Sequence, residues 1–289
     1  MGLEATTAWG DVGRGNDSCV GIDSVLITVN PLPAINAGTD FAICINDTVS
    51  LSATSALDYL WNITTSMDDF TVSNPTIYPT TTTDYEVMGT DALGCENWDT
   101  ITVTVNNLPL VDAGIDTALC INDTIQLMAS GALNYTWTPG TLIKNENTAT
   151  PNVFPIASTY YYVEGTDVNT CVNVDSVFIT VHSLPLVNAG LDDAICIGDS
   201  IELTASGAVI YNWTDGTNLS DVTIANPFAS NTIDETFIVI GEDVNGCINS
   251  DTVEITVNAL PIVIAGNDVQ ICINDSTQLN ATGAVSYAW

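Results

Sequence analysis

Residues 99–106, DTITVTVN, alternate apolar and polar side chains position by position. Ile101, Val103 and Val105 fall on one face, and the threonines between them fall on the other. A period of two that is rich in β-branched residues predicts a strand with one buried face. The pattern recurs at 23–30, 175–182 and 251–258. The chain therefore contains several copies of one strand-forming unit.

The copies follow each other at a fixed step of 76 residues, which two sets of cysteines also keep. One set is Cys19, Cys95, Cys171 and Cys247, and the other is Cys44, Cys120, Cys196 and Cys272. This register predicts three complete repeats, 32–107, 108–183 and 184–259. Residues 1–31 are the C-terminal half of a module, and 260–289 are the N-terminal half of another. We expect a window of a longer array; the alternative is a subunit that exchanges strands with its neighbours.

Each repeat has further strand patterns and no helical period. Val49, Leu51 and Ala53 alternate with polar residues, and Tyr59 and Trp61 share one face of the next strand. About seven short strands with a strand-borne tryptophan predict an immunoglobulin-like β-sandwich. The Tyr-x-Trp pair is predicted to be core, with a sugar-stacking platform as the alternative. The predicted fold class is all-β, in tandem modules.

The repeat has a recognisable motif: AGxDxxIC, then D-[ST]-[VI], then YxW, then TxYxVxGTDxxGC. It resembles the PKD-like and Ig-like tandem repeats of cell-surface adhesins from Bacteroidota-type bacteria, which are associated with type IX secretion. The resemblance covers the whole chain and implies extracellular, tandem β-sandwich modules. The sequence lacks the WDFGDG-like loop of PKD modules, since TPGT follows Trp137 and TDGT follows Trp213.

The net charge is −33, with Arg14 and Lys144 as the two basic residues. Most nucleic-acid and phosphate sites need clustered basic side chains, so this composition excludes most functions of that kind. The negative charge also argues against binding to an anionic membrane surface. His182 is the single histidine, and no nucleophile motif or phosphate-binding loop is present. The sequence therefore predicts that the chain is not an enzyme.

The eight cysteines predict disulfides, since such usage is typical of secreted proteins. A within-module scheme would join Cys44–Cys95, Cys120–Cys171 and Cys196–Cys247. An inter-module scheme would join Cys44–Cys171 and Cys120–Cys247. Cys44 is predicted at the C-terminal end of its sandwich and Cys95 at the N-terminal end. An eight-residue strand spans about 26 Å, whereas bridged Cα atoms lie within about 7 Å. Both schemes stay open at this point.

Recurring aspartates suggest a calcium site where modules meet, because Ca²⁺ prefers oxygen ligands. The candidates are Asp47, Asp91, Asp99, Asp123, Asp167, Asp175, Asp199, Asp243 and Asp251. The alternative is that these residues cap turns of their own backbone. No cofactor is required, and Ca²⁺ is the one candidate ion.

The triplet Asp-[Ser/Thr]-small apolar or Thr is similar to the O-glycosylation signal of Bacteroidota-type secreted proteins. Its copies place the hydroxyl at Ser24, Thr48, Thr100, Thr117, Thr124, Ser176, Ser200, Thr252 and Ser276. The alternative is ordinary turn-plus-strand sequence.

We therefore expect the structural repeat region of an extracellular filament or surface-adhesin stalk, stiffened by disulfides, with calcium and glycans as further stabilisers. The alternative is an adhesive module that binds glycans or a host surface. Its binding loops would be the variable segments 62–76, 138–152 and 214–228. Expected partners are neighbouring modules of the same array, laterally associated copies and surface glycans, with no nucleic acid and no membrane insertion.

Overall fold

The computed structural model describes residues 6–14, 16, 20–62, 65–214 and 216–289. They belong to two compact units. Unit 1 comprises Met1–Gly114, Leu127–Pro151 and Tyr161–Ser176, and unit 2 comprises Ile115–Gln126, Asn152–Tyr160 and Val177–Trp289. The division between the two units falls within residues 108–183 and not at a predicted module boundary. The module boundaries taken from the sequence therefore stay predictions.

The strands up to residue 106 are β1 (Thr6–Arg14), β2 (Val20–Thr28), β3 (Phe41–Cys44), β4 (Val49–Ser50), β5 (Asp58–Trp61), β6 (Thr76–Ile77), β7 (Thr83–Thr90) and β8 (Glu96–Asn106). The next are β9 (Thr117–Cys120), β10 (Ile125–Gln126), β11 (Asn134–Thr138), β12 (Ile143–Lys144), β13 (Asn152–Val153), β14 (Thr159–Thr166) and β15 (Val172–His182). The last are β16 (Asp193–Cys196), β17 (Ile201–Glu202), β18 (Ile210–Trp213), β19 (Phe228–Ala229), β20 (Glu235–Glu242) and β21 (Ile248–Asn258).

Helical structure in the described residues is limited to a 3₁₀ turn at Gly216–Asn218. No helix among them is long and apolar enough to cross a membrane.

Three four-stranded sheets share one strand order: β3-β8-β7-β5, β9-β15-β14-β11 and β16-β21-β20-β18. In each, the short first strand runs parallel to the long last strand, as in the pairs Phe41↔Val103 and Cys44↔Asn106. Smaller sheets, β4-β6, β10-β13-β12 and β17-β19, accompany them. Two sheets that share a buried core form a β-sandwich. The predicted all-β class of tandem Ig-like sandwiches is confirmed.

The core of the first sandwich lies where the strand periodicity predicts it. Ile101 and Val103 are buried and Thr104 is exposed, as a period of two requires. Trp61 is 1% exposed, and its indole Nε1 donates a hydrogen bond to the Val72 carbonyl oxygen at 2.9 Å. Trp137 and Trp213 are also buried and make the equivalent bonds. The core assignment of the Tyr-x-Trp pair is confirmed for these tryptophans.

Trp289 is different, since it is 72% exposed. Residues 260–289 form no strand, and an isolated bridge joins Ile264 to Thr282. In the complete repeats, the strands at these positions pair with strands from later in the same repeat. Without those pairings, backbone hydrogen bonding cannot hold an extended segment in a sheet.

Replacing Phe237 with alanine is expected to destabilise unit 2 by about 3–5 kcal/mol, because the side chain is fully buried and its loss leaves a cavity. Hydrogen–deuterium exchange of the full chain should accelerate in peptides from β20 and β21 and stay unchanged in β7 and β8. Ile238→Ala, at a partly exposed neighbouring position, is the control and should alter exchange little. Equal effects of the two substitutions would contradict the assigned core.

Candidate functional site

A disulfide joins two consecutive sequence repeats within unit 1. Cys44 ends β3, and Cys171 lies immediately before β15; their Cα atoms are 5.5 Å apart. Unit 2 contains the same arrangement between Cys120 and Cys247, with a Cα separation of 5.6 Å. Each bond spans 127 positions of sequence. This is the inter-module scheme of the two that the sequence left open.

The within-module scheme (Cys44–Cys95, Cys120–Cys171, Cys196–Cys247) is not the arrangement in the structure, and strand geometry explains why. Cys44 pairs in register with Asn106 at the end of β8, whereas Cys95 precedes the first residue of that strand. Eleven residues of strand span about 36 Å. A disulfide tolerates a Cα separation of only about 7 Å. β15 and β21 have the same length and separate the other two pairs in the same way.

Three cysteines of the described residues carry no disulfide. Cys95 is partly buried, and Cys196 and Cys272 are exposed. Cys19, also predicted to form a disulfide, lies outside the described residues.

The turn before each last strand positions the cysteine that follows it. Asp167 accepts hydrogen bonds at Oδ1 from the amides of Asn169 and Cys171, both at 2.9 Å. Asp91 and Asp243 make the equivalent bonds to Cys95 and Cys247. The amide of Cys247 is the main reason that the pKa of Asp243 lies below its ordinary value. These aspartates therefore act as caps of the turn.

A second group of aspartates ties the start of each repeat to its last strand. Oδ2 of Asp99 accepts a hydrogen bond from the amide of Ala37 at 2.8 Å. Asp175 and Asp251 do the same for Ala113 and Ala189. The Ala189 amide is the largest cause that lowers the pKa of Asp251.

Two further aspartates hold the first strand. Asp47 accepts from the amide of Cys44 at 3.1 Å, and Asp40, which the sequence did not place in a site, accepts from Thr102 at 2.9 Å. Carboxylates that accept backbone hydrogen bonds in this way stabilise the local fold without a metal.

In the described part of the chain, no three His, Cys, Asp or Glu side chains converge in a group that could hold a metal ion. Asp47, Asp167 and Asp175, three of the calcium candidates predicted from the sequence, form no such group. Asp123 and Asp199 occupy the position of Asp47 in the next two repeats. Their backbone amides donate hydrogen bonds to the carbonyl oxygens of Cys120 and Cys196. Calcium binding stays a prediction that rests on the acidic composition.

The predicted O-glycosylation sites divide by exposure. Thr117 and Ser176 are half-buried. The other hydroxyl residues are exposed: Ser24, Thr48, Thr100, Thr124, Ser200, Thr252 and Ser276. Modification stays a prediction, and it is sterically easiest at the exposed positions.

The sequence reading missed a surface groove on the β7-β8 face. Trp98 is 52% exposed and lines it with Leu60, Asn62, Glu86 and Met88, around a volume of about 170 Å³. The signal was present in the sequence, because the equivalent positions hold Val174 and Ser250. A tryptophan that breaks a repeat pattern on the outward face of a strand is not needed for the shared core.

Thr170 has a φ of 66° in the turn before Cys171, where the equivalent turns contain Gly94 and Gly246. A β-branched residue is strained in this left-handed region. Thr170→Gly is therefore expected to stabilise the sandwich of repeat 108–183 by up to about 1 kcal/mol and to raise the melting temperature. The reciprocal variants Gly94→Thr and Gly246→Thr should lower the melting temperature. A melting temperature that falls on Thr170→Gly would contradict the strain.

No family model matches the chain, and no curated protein matches its sequence. Its fold is similar to solved adhesion-protein structures. The N-terminal eight Ig domains of Down Syndrome Cell Adhesion Molecule are 14% identical, with a TM-score of 0.42, and the match covers 89% of this chain and 40% of that one. Sidekick-1 immunoglobulin domains 1-5 are 12% identical over 88% of this chain and 67% of that one, with a TM-score of 0.29. Mouse Cadherin-23 EC22-24 is 11% identical over 80% of this chain and all of that one, with a TM-score of 0.30. At these TM-scores, none of the likenesses bears on function.

Proposed function

We propose that this chain is a non-catalytic structural repeat region of an extracellular stalk or filament, in which disulfides join consecutive repeats. The observation that carries the proposal is the bond from Cys44 in repeat 32–107 to Cys171 in repeat 108–183. Its counterpart joins Cys120 to Cys247. A display stalk or filament needs links between modules that survive tension, and a covalent bond provides one.

The two disulfide loops overlap between residues 120 and 171, which limits how far the chain can be stretched. Once the sandwiches are reduced and unfolded, the backbone from Cys44 to Cys247 reaches ~700 Å. With both bonds intact, the shortest covalent path runs from Cys44 to Cys171, back to Cys120, and on to Cys247. That path contains only the backbone of 120–171 and reaches ~180 Å. The bonds therefore suit a load-bearing array.

An extracellular location follows from the same chemistry, since disulfides persist outside the reducing cytosol. The charge of −33 favours solubility of a chain rich in apolar residues. Glycans on the exposed hydroxyl residues would add to this solubility. Export by a type IX system rests on the sequence resemblance alone.

The proposal predicts a large redox effect in single-molecule pulling of the full chain. Oxidised protein should extend by ~500 Å less than reduced protein, the difference between the two limits for the Cys44–Cys247 segment. A variant with both Cys44→Ser and Cys120→Ser should extend as the reduced protein does in either condition. An oxidised wild-type chain that extends as far as this variant would rule out the load-bearing role.

A second candidate function is glycan binding at the Trp98 groove. An exposed indole face can stack on a sugar ring, and Glu86 can accept hydrogen bonds from sugar hydroxyls. The tryptophan that lines the groove occurs in the first complete repeat, while Val174 and Ser250 occupy the equivalent positions, as expected for a residue that is not part of the shared scaffold.

A glycan array checks this candidate. Trp98→Ser, which places the residue of the third repeat at this position, should abolish any reproducible binding. Tyr162→Ser, at another exposed aromatic residue of unit 1, is the matched control and should leave it unchanged. Binding that survives Trp98→Ser would place the contact elsewhere, and the absence of binding to the array would count against the adhesive role.

A further inference from the structure

A cleft of about 250 Å³ opens into the sandwich of the third complete repeat, and the residues that line it belong to unit 2. It lies between β16 and β17, which are edge strands of their sheets. Its inner wall includes Leu203, Val253 and Ile255, which are buried members of the core. Asp193 and Glu202 also line the cleft, and both are exposed. The cleft therefore combines an apolar interior with two carboxylates beside the solvent.

The first cause of the cleft lies at the first position of β16. Phe41, the counterpart of Asp193 in the first complete repeat, is half-buried and packs against the core of its own sandwich. The strand period places Asp193 on the same face as the buried Ile195. Burial of a carboxylate without a partner is costly, so Asp193 does not fill the space that a phenylalanine ring occupies at this position.

A second substitution enlarges the same space from within the core. Val253 occupies the position of Ile101 and lacks the Cδ1 methyl group of that residue. In the first complete repeat, this methyl group lies 3.2 Å from the point that a Cβ on Gly38 would occupy. At Gly190, the counterpart of Gly38, the atoms nearest to such a Cβ belong to Thr204. Two independent changes of sequence therefore produce the cleft.

The open side of the cleft is a property of the repeat itself. Leu191 and Glu202 line it and are exposed. Their counterparts Thr39 and Ser50 are exposed too, although another complete repeat follows them in the chain. The position of these residues on the sandwich, and not the absence of a neighbour, keeps the cleft accessible.

We propose that this cleft binds a small organic cation, namely a primary ammonium group that carries one phenyl-sized apolar substituent. The substituent would contact Leu203, Val253 and Ile255, and the ammonium group would donate hydrogen bonds to Asp193 and Glu202. Small-molecule sites typically combine an apolar interior with a few polar groups that fix orientation. The volume is sufficient for a phenyl ring, since an apolar cavity of about 150 Å³ can hold benzene.

The charges around the cleft favour a cation over a neutral or anionic ligand. Oδ1 of Asp193 accepts a hydrogen bond from the Ala194 amide at 2.7 Å, and a carboxylate has further lone pairs for a second donor. Neither Arg14 nor Lys144, the two basic residues of the chain, lines the cleft. The net charge of −33 also raises the local concentration of cations and repels anions. The proposal does not rest on the structural role of the disulfides.

The experiment titrates the full, oxidised chain with phenethylammonium at neutral pH and low salt, followed by calorimetry. We expect a Kd of about 1 mM or below, as a ligand of this size permits. Phenethyl alcohol has the same shape without the charge and should bind about threefold more weakly. Ethylammonium keeps the charge without the ring and should bind at least about tenfold more weakly, because the apolar contacts are lost.

Two variants fill the cleft from separate sides with the residues of the first complete repeat. Asp193→Phe and Val253→Ile should each weaken phenethylammonium binding about tenfold or more, because the ring loses its space. The melting temperature should hold or rise in both, since cavity filling stabilises a fold. Asp193→Asn keeps the cleft and should weaken binding about threefold. Glu254→Gln, on the exposed face of β21, removes the same charge away from the cleft and should leave binding unchanged.

Three results would overturn the proposal: no binding of phenethylammonium at about 10 mM, equal affinities for phenethylammonium and phenethyl alcohol, or wild-type affinity in a filling variant that keeps its melting temperature. An Asp193→Asn effect no larger than that of Glu254→Gln would also overturn it. If one filling variant does not fold, the other decides together with Asp193→Asn. None of these results bears on the load-bearing role, which the pulling experiment measures separately.

Discussion

The parallel pairing of the first strand of each repeat with its last strand is the constraint on which the other features depend. It places Cys44 beside the end of β8 and leaves Cys95 at the beginning of that strand, a full strand length away. A bond inside the repeat is then impossible, and the cysteine is available to the turn of the next repeat. Asp40 reinforces the pairing through the Thr102 amide. Topology and disulfide pattern therefore have a single cause.

Strand periodicity was enough to predict which residues are buried. Ile101 and Val103 lie in the core, as the alternation in 99–106 requires, and Trp61 lies between the sheets. The small second sheets were predictable only in part. The alternation of Val49, Leu51 and Ala53 marks the segment that contains β4, whereas β6 has two residues and no period. The sequence indicated that about one strand length separates Cys44 from Cys95. It could not choose between the two disulfide schemes, because it did not show whether Cys171 of the next repeat lies beside Cys44.

The recurring aspartates show why a site is harder to predict than a fold. An aspartate that caps a turn and one that binds calcium have the same side chain and favour the same loops. In the structure, Asp167 accepts hydrogen bonds from the amides of Asn169 and Cys171, and Asp99 accepts one from the amide of Ala37. Trp98 was missed for the opposite reason, because it occurs in one repeat and the site predictions rested on residues that recur.

The overlap of the two disulfide loops has a consequence for damage to the backbone. Every peptide bond between residues 44 and 247 lies inside at least one loop, and those between 120 and 171 lie inside both. A protease that cuts once anywhere in this span leaves the two fragments covalently attached. Exposed connecting segments, the usual sites of nicking, can therefore be cleaved without severing the molecule. An array with overlapping disulfide loops therefore stays covalently connected after a single cleavage that would separate a chain held by its backbone alone.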